Sequence, residues 1–163
     1  MWHDHGLSAK RAPYGPSVRI PFLFRYDGGH LATADPEDIV ANIDIAPTVM
    51  EAAGVSQDPD RPMDGRSLLS GPNRTRLLLE YFVEFGVPTW ASTVTDEMQY
   101  VEYYRNNGTT ITFKEFYRLE NDPYQLSNVL KDGKGSNDPS NGEKSAMHQQ
   151  LAEDRECRGA NCP

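Results

Sequence analysis

The stretch that decides the fold reads Gln99-Tyr-Val-Glu-Tyr-Tyr104, then Arg105-Asn-Asn-Gly108, then Thr109-Thr-Ile-Thr-Phe-Lys-Glu-Phe-Tyr-Arg-Leu119. Two runs rich in aromatic and β-branched residues flank Asn106-Asn107-Gly108, a turn signal that returns one strand beside the next. Working back toward the N-terminus, Thr89 to Thr95 and Leu77 to Val83 repeat the pattern. Asp96-Glu97 and Gly86-Val-Pro88 punctuate them. Connections this short predict an antiparallel meander of about four strands. Beyond it, Glu120-Asn-Asp-Pro-Tyr124 leaves the sheet through a turn. Lys131 to Glu143, rich in Gly, Ser, Asn and Asp, reads as a flexible linker, and Ala146 to Arg155 as a terminal helix.

The N-terminal part has a different grammar. Arg19-Ile-Pro-Phe-Leu-Phe-Arg25 is a compact apolar run that ends at Asp27-Gly28-Gly29, and it predicts a buried strand entering a turn. Leu31 to Asp44 is a polar loop. Asp44-Ile-Ala-Pro-Thr-Val-Met-Glu-Ala-Ala-Gly54 is the clearest helix: Asp44 is the candidate N-cap, Pro47 sits in the first turn and Gly54 supplies the stop. Ile45, Val49 and Ala52 share one face, which predicts docking on a core. Met63-Asp64-Gly65 marks a turn. The fold class expected is α/β overall (α+β as a piece): a strand and helix remaining from a main sheet, a small antiparallel sheet, and a terminal helix. One strand–helix unit cannot cover a parallel sheet, so more chain is expected to pack on Ile20 to Phe24.

Composition sets the outer limits. With 163 residues, 37% hydrophobic and 10% aromatic, the chain can build a core of one ordinary domain. A net charge of −8 argues against general nucleic-acid binding, which needs a basic face. The charge is uneven: residues 1–34 carry four cations against Asp4 and Asp27, a balance of +2, which leaves −10 for the rest. No run is apolar enough to span a membrane, and the start shows no export signal.

Few residues offer chemistry by themselves. His3-Asp4-His5 has the composition of a metal ligand pair, but His30 and His148 lie at no useful spacing for a closed site. Cys157 and Cys162 form a C-x4-C pair read as a disulfide, which implies an oxidising compartment. Asn73-Arg-Thr75 and Asn107-Gly-Thr109 are glycosylation sequons. No phosphate loop, dinucleotide fingerprint or nucleophile elbow is present. Ser8 and Ser17 lack a base with an orienting partner. Trp90, after Val87-Pro88, reads as a core aromatic or as a residue reaching a substrate pocket.

Four segments together resemble one family. Gly6-Leu-Ser-Ala-Lys10-Arg-Ala-Pro-Tyr14 with Ser17-Val-Arg19-Ile-Pro21, then Asn42-Ile-Asp44-Ile-Ala-Pro47-Thr48, then Pro62-Met-Asp64-Gly65-Arg-Ser67-Leu68, then Leu119-Glu-Asn121-Asp122-Pro123-Tyr124-Gln-Leu126 with Asn128, are similar to successive motifs of type I sulfatases. These belong to the alkaline phosphatase superfamily and hydrolyse sulfuric esters. The resemblance implies a formylglycine nucleophile in the N-terminal half of the parent enzyme, a divalent cation, usually calcium, held by an early Asp pair and a later Asp-Asn or Asp-His pair, and a downstream lysine that contacts the substrate sulfate.

Register decides which roles carry over. The family's "E-H-G-L-x-x-K" segment spaces its acid and lysine as Asp4 and Lys10 are spaced here, so Asp4-His5-Gly6-Leu7 resembles that segment with Asp for Glu. Lys10 is then the sulfate contact and His5 a residue that orients the loop. No cofactor or metal ligand carries over, and Gly15 departs from the family's Glu. On this reading, residues 1–70 are the end of the sulfatase α/β domain and 71–130 its small C-terminal sheet; 131–145 are a linker and 146–163 a helix and Cys-bounded tail. The expectation is the C-terminal third of a secreted or lysosome-like sulfatase, inactive alone, with a sulfate ester as substrate in the parent enzyme and exposed apolar surface inviting self-association. The alternatives are a non-catalytic anion- or partner-binding module and a piece of a related phosphoester or phosphonate hydrolase.

Overall fold

The computed structural model describes residues 1, 3–28, 39–71 and 73–163. His30 and most of the polar loop from Leu31 lie outside the described residues. The chain forms two compact units, Met1–Pro21 with Leu78–Arg155 and Phe22–Leu77 with Glu156–Pro163.

The first unit is built on the expected meander. Strands β1 (Leu77–Tyr81), β2 (Trp90–Val94), β3 (Met98–Tyr104) and β4 (Ile111–Arg118) lie in the order β1-β2-β3-β4. β3 pairs antiparallel with both neighbours, with Tyr100 opposite Thr93 and Phe116. Because side chains alternate along a strand, this register sorts β3 into two faces. Tyr100, Glu102 and Tyr104 point to one side, where Ala91, Phe116 and Leu151 complete the buried core. Leu151 belongs to helix α3 (Asn141–Arg155), with Met147 packed beside it. Gln99, Val101 and Tyr103 point the other way.

Helix α3 begins at Asn141, ahead of the expected Ala146. Ser140 and Glu143 explain the earlier start. The Glu143 carboxylate accepts the Ser140 N–H at 2.7 Å, and the Ser140 hydroxyl accepts the Glu143 N–H at 3.2 Å. This reciprocal cap satisfies two amides that a helix start leaves unpaired. The signal lies inside the stretch read as linker.

The turn after β4 is organised by two side chains. The Asp122 carboxylate accepts the N–H groups of Leu126 and Ser127 at 2.9 and 2.8 Å. Asn128 accepts from Phe116 N–H and donates to the Lys114 carbonyl, both at 3.1 Å, so its amide stands in for a fifth strand on the free edge of β4.

In the second unit, helix α2 (Ile45–Ala52) stops at Gly54, whose φ is +67°, as expected. Two other expectations fail. Asp44 makes no side-chain cap on α2; its carboxylate accepts the Ala41 N–H at 2.7 Å instead, closing the preceding 3-10 turn Asn42–Asp44. The face carrying Ile45 and Val49 is exposed, whereas Pro47 and Thr48 are buried. Polar anchoring turned the helix: the Thr48 hydroxyl donates to the Asp44 carbonyl and accepts the Leu68 N–H at 2.9 Å.

The predicted strand at Arg19–Arg25 does not form. The segment joins no ladder, and Ile20, Phe22, Leu23 and Phe24 are exposed, Leu23 to 99%. A strand exists only through its neighbours' hydrogen bonds, and no described residue pairs with this one. The one-turn helix α1 (Gly15–Val18) precedes it.

The Met63-Asp64-Gly65 turn has a mechanical reason for each polar or small residue. The Asp64 carboxylate accepts the Gly159 N–H at 2.7 Å. A Cβ on Gly65 would stand 2.1 Å from the Ile43 carbonyl oxygen, so only glycine passes. Arg66 donates through its backbone to Asp44 at 2.8 Å and through its guanidinium to the Cys162 carbonyl at 2.7 Å. Cys157 and Cys162 are joined in a disulfide, as the sequence predicted.

Candidate functional site: a lysine loop clamped to the sheet

The second face of the sheet carries Trp90, Ser92, Gln99, Tyr103, Glu115 and Tyr117, and residues 11–17 are fastened to it. The Trp90 indole donates to the Arg11 carbonyl at 2.9 Å. The Gln99 amide donates to the Pro13 carbonyl at 2.7 Å and to the Ser92 hydroxyl at 2.9 Å, while its oxygen accepts from Gln125. Gln125 in turn accepts the Gly15 N–H at 2.7 Å. Two buried glutamines thus satisfy a stretch of irregular backbone that would otherwise leave polar groups unpaired. The clamp includes Trp90 as structure: its side chain is buried and turned into the fold, which decides between the two readings of that residue.

Tyr14 reaches deeper. Its hydroxyl donates to one oxygen of the buried Glu115 at 2.9 Å, and Tyr103 donates to the other at 3.1 Å. Burial pushes the Glu115 carboxyl up, and the hydroxyls of Tyr14, Tyr103 and Tyr117 offset only part of that. Burial, reinforced by the Glu115 charge, also raises the Tyr103 and Tyr117 phenols, keeping them as donors at neutral pH.

His5 lies flat against Tyr14, with ring centroids 4.0 Å apart and planes 10° from parallel. Its Nε2 is 3.0 Å from the Tyr124 carbonyl oxygen. The structure therefore brings His5 together with Tyr14 and the Asp122–Asn128 turn. Lys10 directly precedes the Arg11 anchor and is exposed, with no hydrogen bond or ion pair among the described residues. Ser17 is buried and accepts the Ala12 N–H at 3.3 Å, a structural task.

The opposite face holds a second buried carboxylate, Glu102. It receives the hydroxyls of Tyr100 and Tyr104 (2.8 Å for the latter), the Lys114 ammonium at 2.9 Å and His148 Nδ1 at 2.9 Å. Burial alone would raise this carboxyl, but the Tyr100, Lys114 and Tyr104 hydrogen bonds carry it below the ordinary range. His148 comes from α3, so the cluster ties that helix to the sheet.

A divalent cation implied by the resemblance does not fit the residues present. Among the described residues no group of three or more His, Cys, Asp or Glu converges on one point. His5 is committed to Tyr14 and Tyr124, and His3 is exposed.

Asn73 and Asn107 are both exposed. The residues that sequence reasoning passed over are Gln99, Gln125, Glu102 and Glu115. The only signal was their place: polar residues at positions of strands and turns whose neighbours are apolar or aromatic.

A family model described as N-sulphoglucosamine sulphohydrolase, C-terminal, matches residues 3–156, and the chain belongs to that family. An N-acetylglucosamine-6-O-sulfatase of Bacteroides thetaiotaomicron is 27% identical over 139 residues, 78% of this chain and 24% of that protein. The extracellular sulfatase SULF-1 homolog of Drosophila melanogaster is 38% identical over 74 residues, 40% of this chain and 6% of that protein. A solved structure of a protein bound to its substrate D-glucosamine-2-N,6-O-disulfate superposes with a TM-score of 0.53 at 23% identity, over 69% of this chain and 23% of that one. The chain spans between 6% and 26% of the length of the curated relatives it matches.

Proposed function

We propose that this chain serves as the C-terminal part of a sulfuric ester hydrolase, in which Lys10 meets the sulfate of the substrate. The observation that carries the proposal is the clamp. Arg11, Pro13, Tyr14 and Gly15 are each held by a buried side chain, while the adjoining lysine ammonium is left exposed. An ammonium held beside a sulfate stabilises charge that develops on its oxygens as the ester bond breaks. His5, stacked on Tyr14, keeps the loop in register. The nucleophile and the divalent cation that the resemblance implies would be supplied in the parent enzyme by residues outside those described, and this chain's own contribution is the lysine and the clamp that presents it. The chain alone binds sulfate esters and does not turn them over.

The disulfide favours an oxidising compartment, and a relative named an extracellular sulfatase points the same way. No helix among the described residues is long and apolar enough to cross a membrane.

The test uses the chain with p-nitrophenyl sulfate and calcium. Salt-sensitive binding without release of p-nitrophenol, lost in Lys10→Ala, is the result expected. Binding that survives Lys10→Ala removes the lysine from the site, and turnover by the chain alone removes the claim of inactivity.

A further inference from the structure

Phe85 occupies a backbone position that suits it badly. It is the first central residue of the two-residue turn joining β1 to β2, closed by Val87 N–H to the Glu84 carbonyl at 2.9 Å and Glu84 N–H to the Val87 carbonyl at 3.3 Å. Both central residues have positive φ, +48° at Phe85 and +79° at Gly86. Hairpin turns of this kind select Asn, Asp or Gly, because a bulky side chain crowds the backbone there. Phe85 gains no burial in return, since it is 71% exposed.

The ring is nevertheless held. The Arg11 guanidinium lies over one face, 4.2 Å from the ring centroid, and the Arg11 carbonyl is fixed by Trp90. Arg11 directly follows Lys10. A strained, exposed aromatic is thus oriented from behind by the residue next to the lysine. Strain kept without a packing gain is a mark of function.

We infer that Phe85 is a specificity-determining residue whose open face stacks on a ring in the organic part of the sulfate ester. The inference rests on the reading of Lys10 given above. The chemistry selects an anion carried on a cyclic group with an apolar face, either an aryl ring or the C–H face of a sugar. The Arg11 cation behind the ring adds attraction for the anion. An acyclic ester gains nothing from Phe85.

The test is a titration of the full chain with methyl sulfate, p-nitrophenyl sulfate and N-acetylglucosamine 6-sulfate, followed by NMR chemical shifts, for the parent, Phe85→Asn and Lys10→Ala. Asn suits the left-handed position, so Phe85→Asn should melt no lower than the parent. It should weaken one or both ring-bearing esters about three- to tenfold and leave methyl sulfate unchanged. The ester that weakens more identifies the ring as aryl or saccharide. Lys10→Ala should weaken all three. If Lys10→Ala weakens none, the reading of the site fails. If it weakens all while Phe85→Asn leaves the ring-to-methyl ratio unchanged, the stacking inference alone is overturned. A Phe85→Asn effect confined to concentration-dependent sedimentation also overturns it, since the ring then covers another protein surface. Failure of the parent to bind any ester overturns both.

Discussion

Asp44 and Arg74, thirty residues apart, meet as a fully buried pair: the guanidinium donates to both carboxylate oxygens, at 2.7 and 2.8 Å, and neither side chain has any exposure. The Asp44 carboxylate also accepts the Ala41 and Arg66 amides. One charge therefore joins the start of α2, the Met63–Arg66 turn and the segment before β1. Removing Arg74 leaves the Asp44 carboxylate charged and dry, which costs about 3–5 kcal/mol. Arg74→Met and Asp44→Asn should each lower the urea midpoint, and the double variant should lose clearly less than the sum of the two. Additive losses would show that the pair does not act as a unit.

The buried carboxylates set opposing pH trends. Hydrogen bonds, chiefly from Arg74 and from Tyr100, hold Asp44 and Glu102 below their ordinary values of 3.8 and 4.5, against the upward push of burial. Their stabilisation is complete above those values and is lost as pH falls through the lower folded ones. Glu115 is raised by burial, so its contribution is present below 4.5 and declines as pH rises through its higher folded value. The melting temperature should fall in acid, and Glu102→Gln should flatten that limb. Glu115→Gln should flatten the decline above pH 4.5 and leave the acid limb in place.

Ser140→Ala removes the hydroxyl that accepts the Glu143 N–H. The expected cost is about 1 kcal/mol, read as a lower melting temperature together with faster amide exchange in the first turn of α3. Unchanged exchange there would mean that α3 is held by its sheet contacts alone.

Gly54→Ala and Gly65→Ala separate two reasons for glycine. At Gly54 an added Cβ meets nothing within 4 Å and only the positive φ opposes it, at about 1–2 kcal/mol. At Gly65 the Cβ runs into the Ile43 carbonyl, so the backbone itself must shift. Denaturant titration should rank Gly65→Ala as clearly the more damaging.

The meander was legible because its signals are local. Turn residues at Asn106-Asn107-Gly108 and alternating strands need no knowledge of distant chain, and the strand limits agree within a residue or two. The cap at Ser140-Asn-Gly-Glu143 was equally local and was obscured by the glycine-rich composition around it. The motifs Met63-Asp64-Gly65 and Asp122-Pro123 were visible as patterns, but their reasons were not: Gly159 and Ile43 explain the first, Leu126 and Ser127 the second. Lys10 was found by its spacing from Asp4 within a resemblance, whereas the clamp that exposes it depends on Gln99, Glu115 and Gln125, far along the chain.

The sequence alone therefore determined the local elements, the strand order implied by short connections, the cysteine pair and the lysine worth testing. Tertiary structure decided which polar residues are buried, which face of α2 turns inward, that Arg19 to Arg25 makes no ladder, and that Phe85 stands exposed under strain. The division follows from range. Turns and caps are satisfied by atoms a few residues away, while burial of a carboxylate, a glutamine or a strand edge is a property of partners that only folding brings within reach.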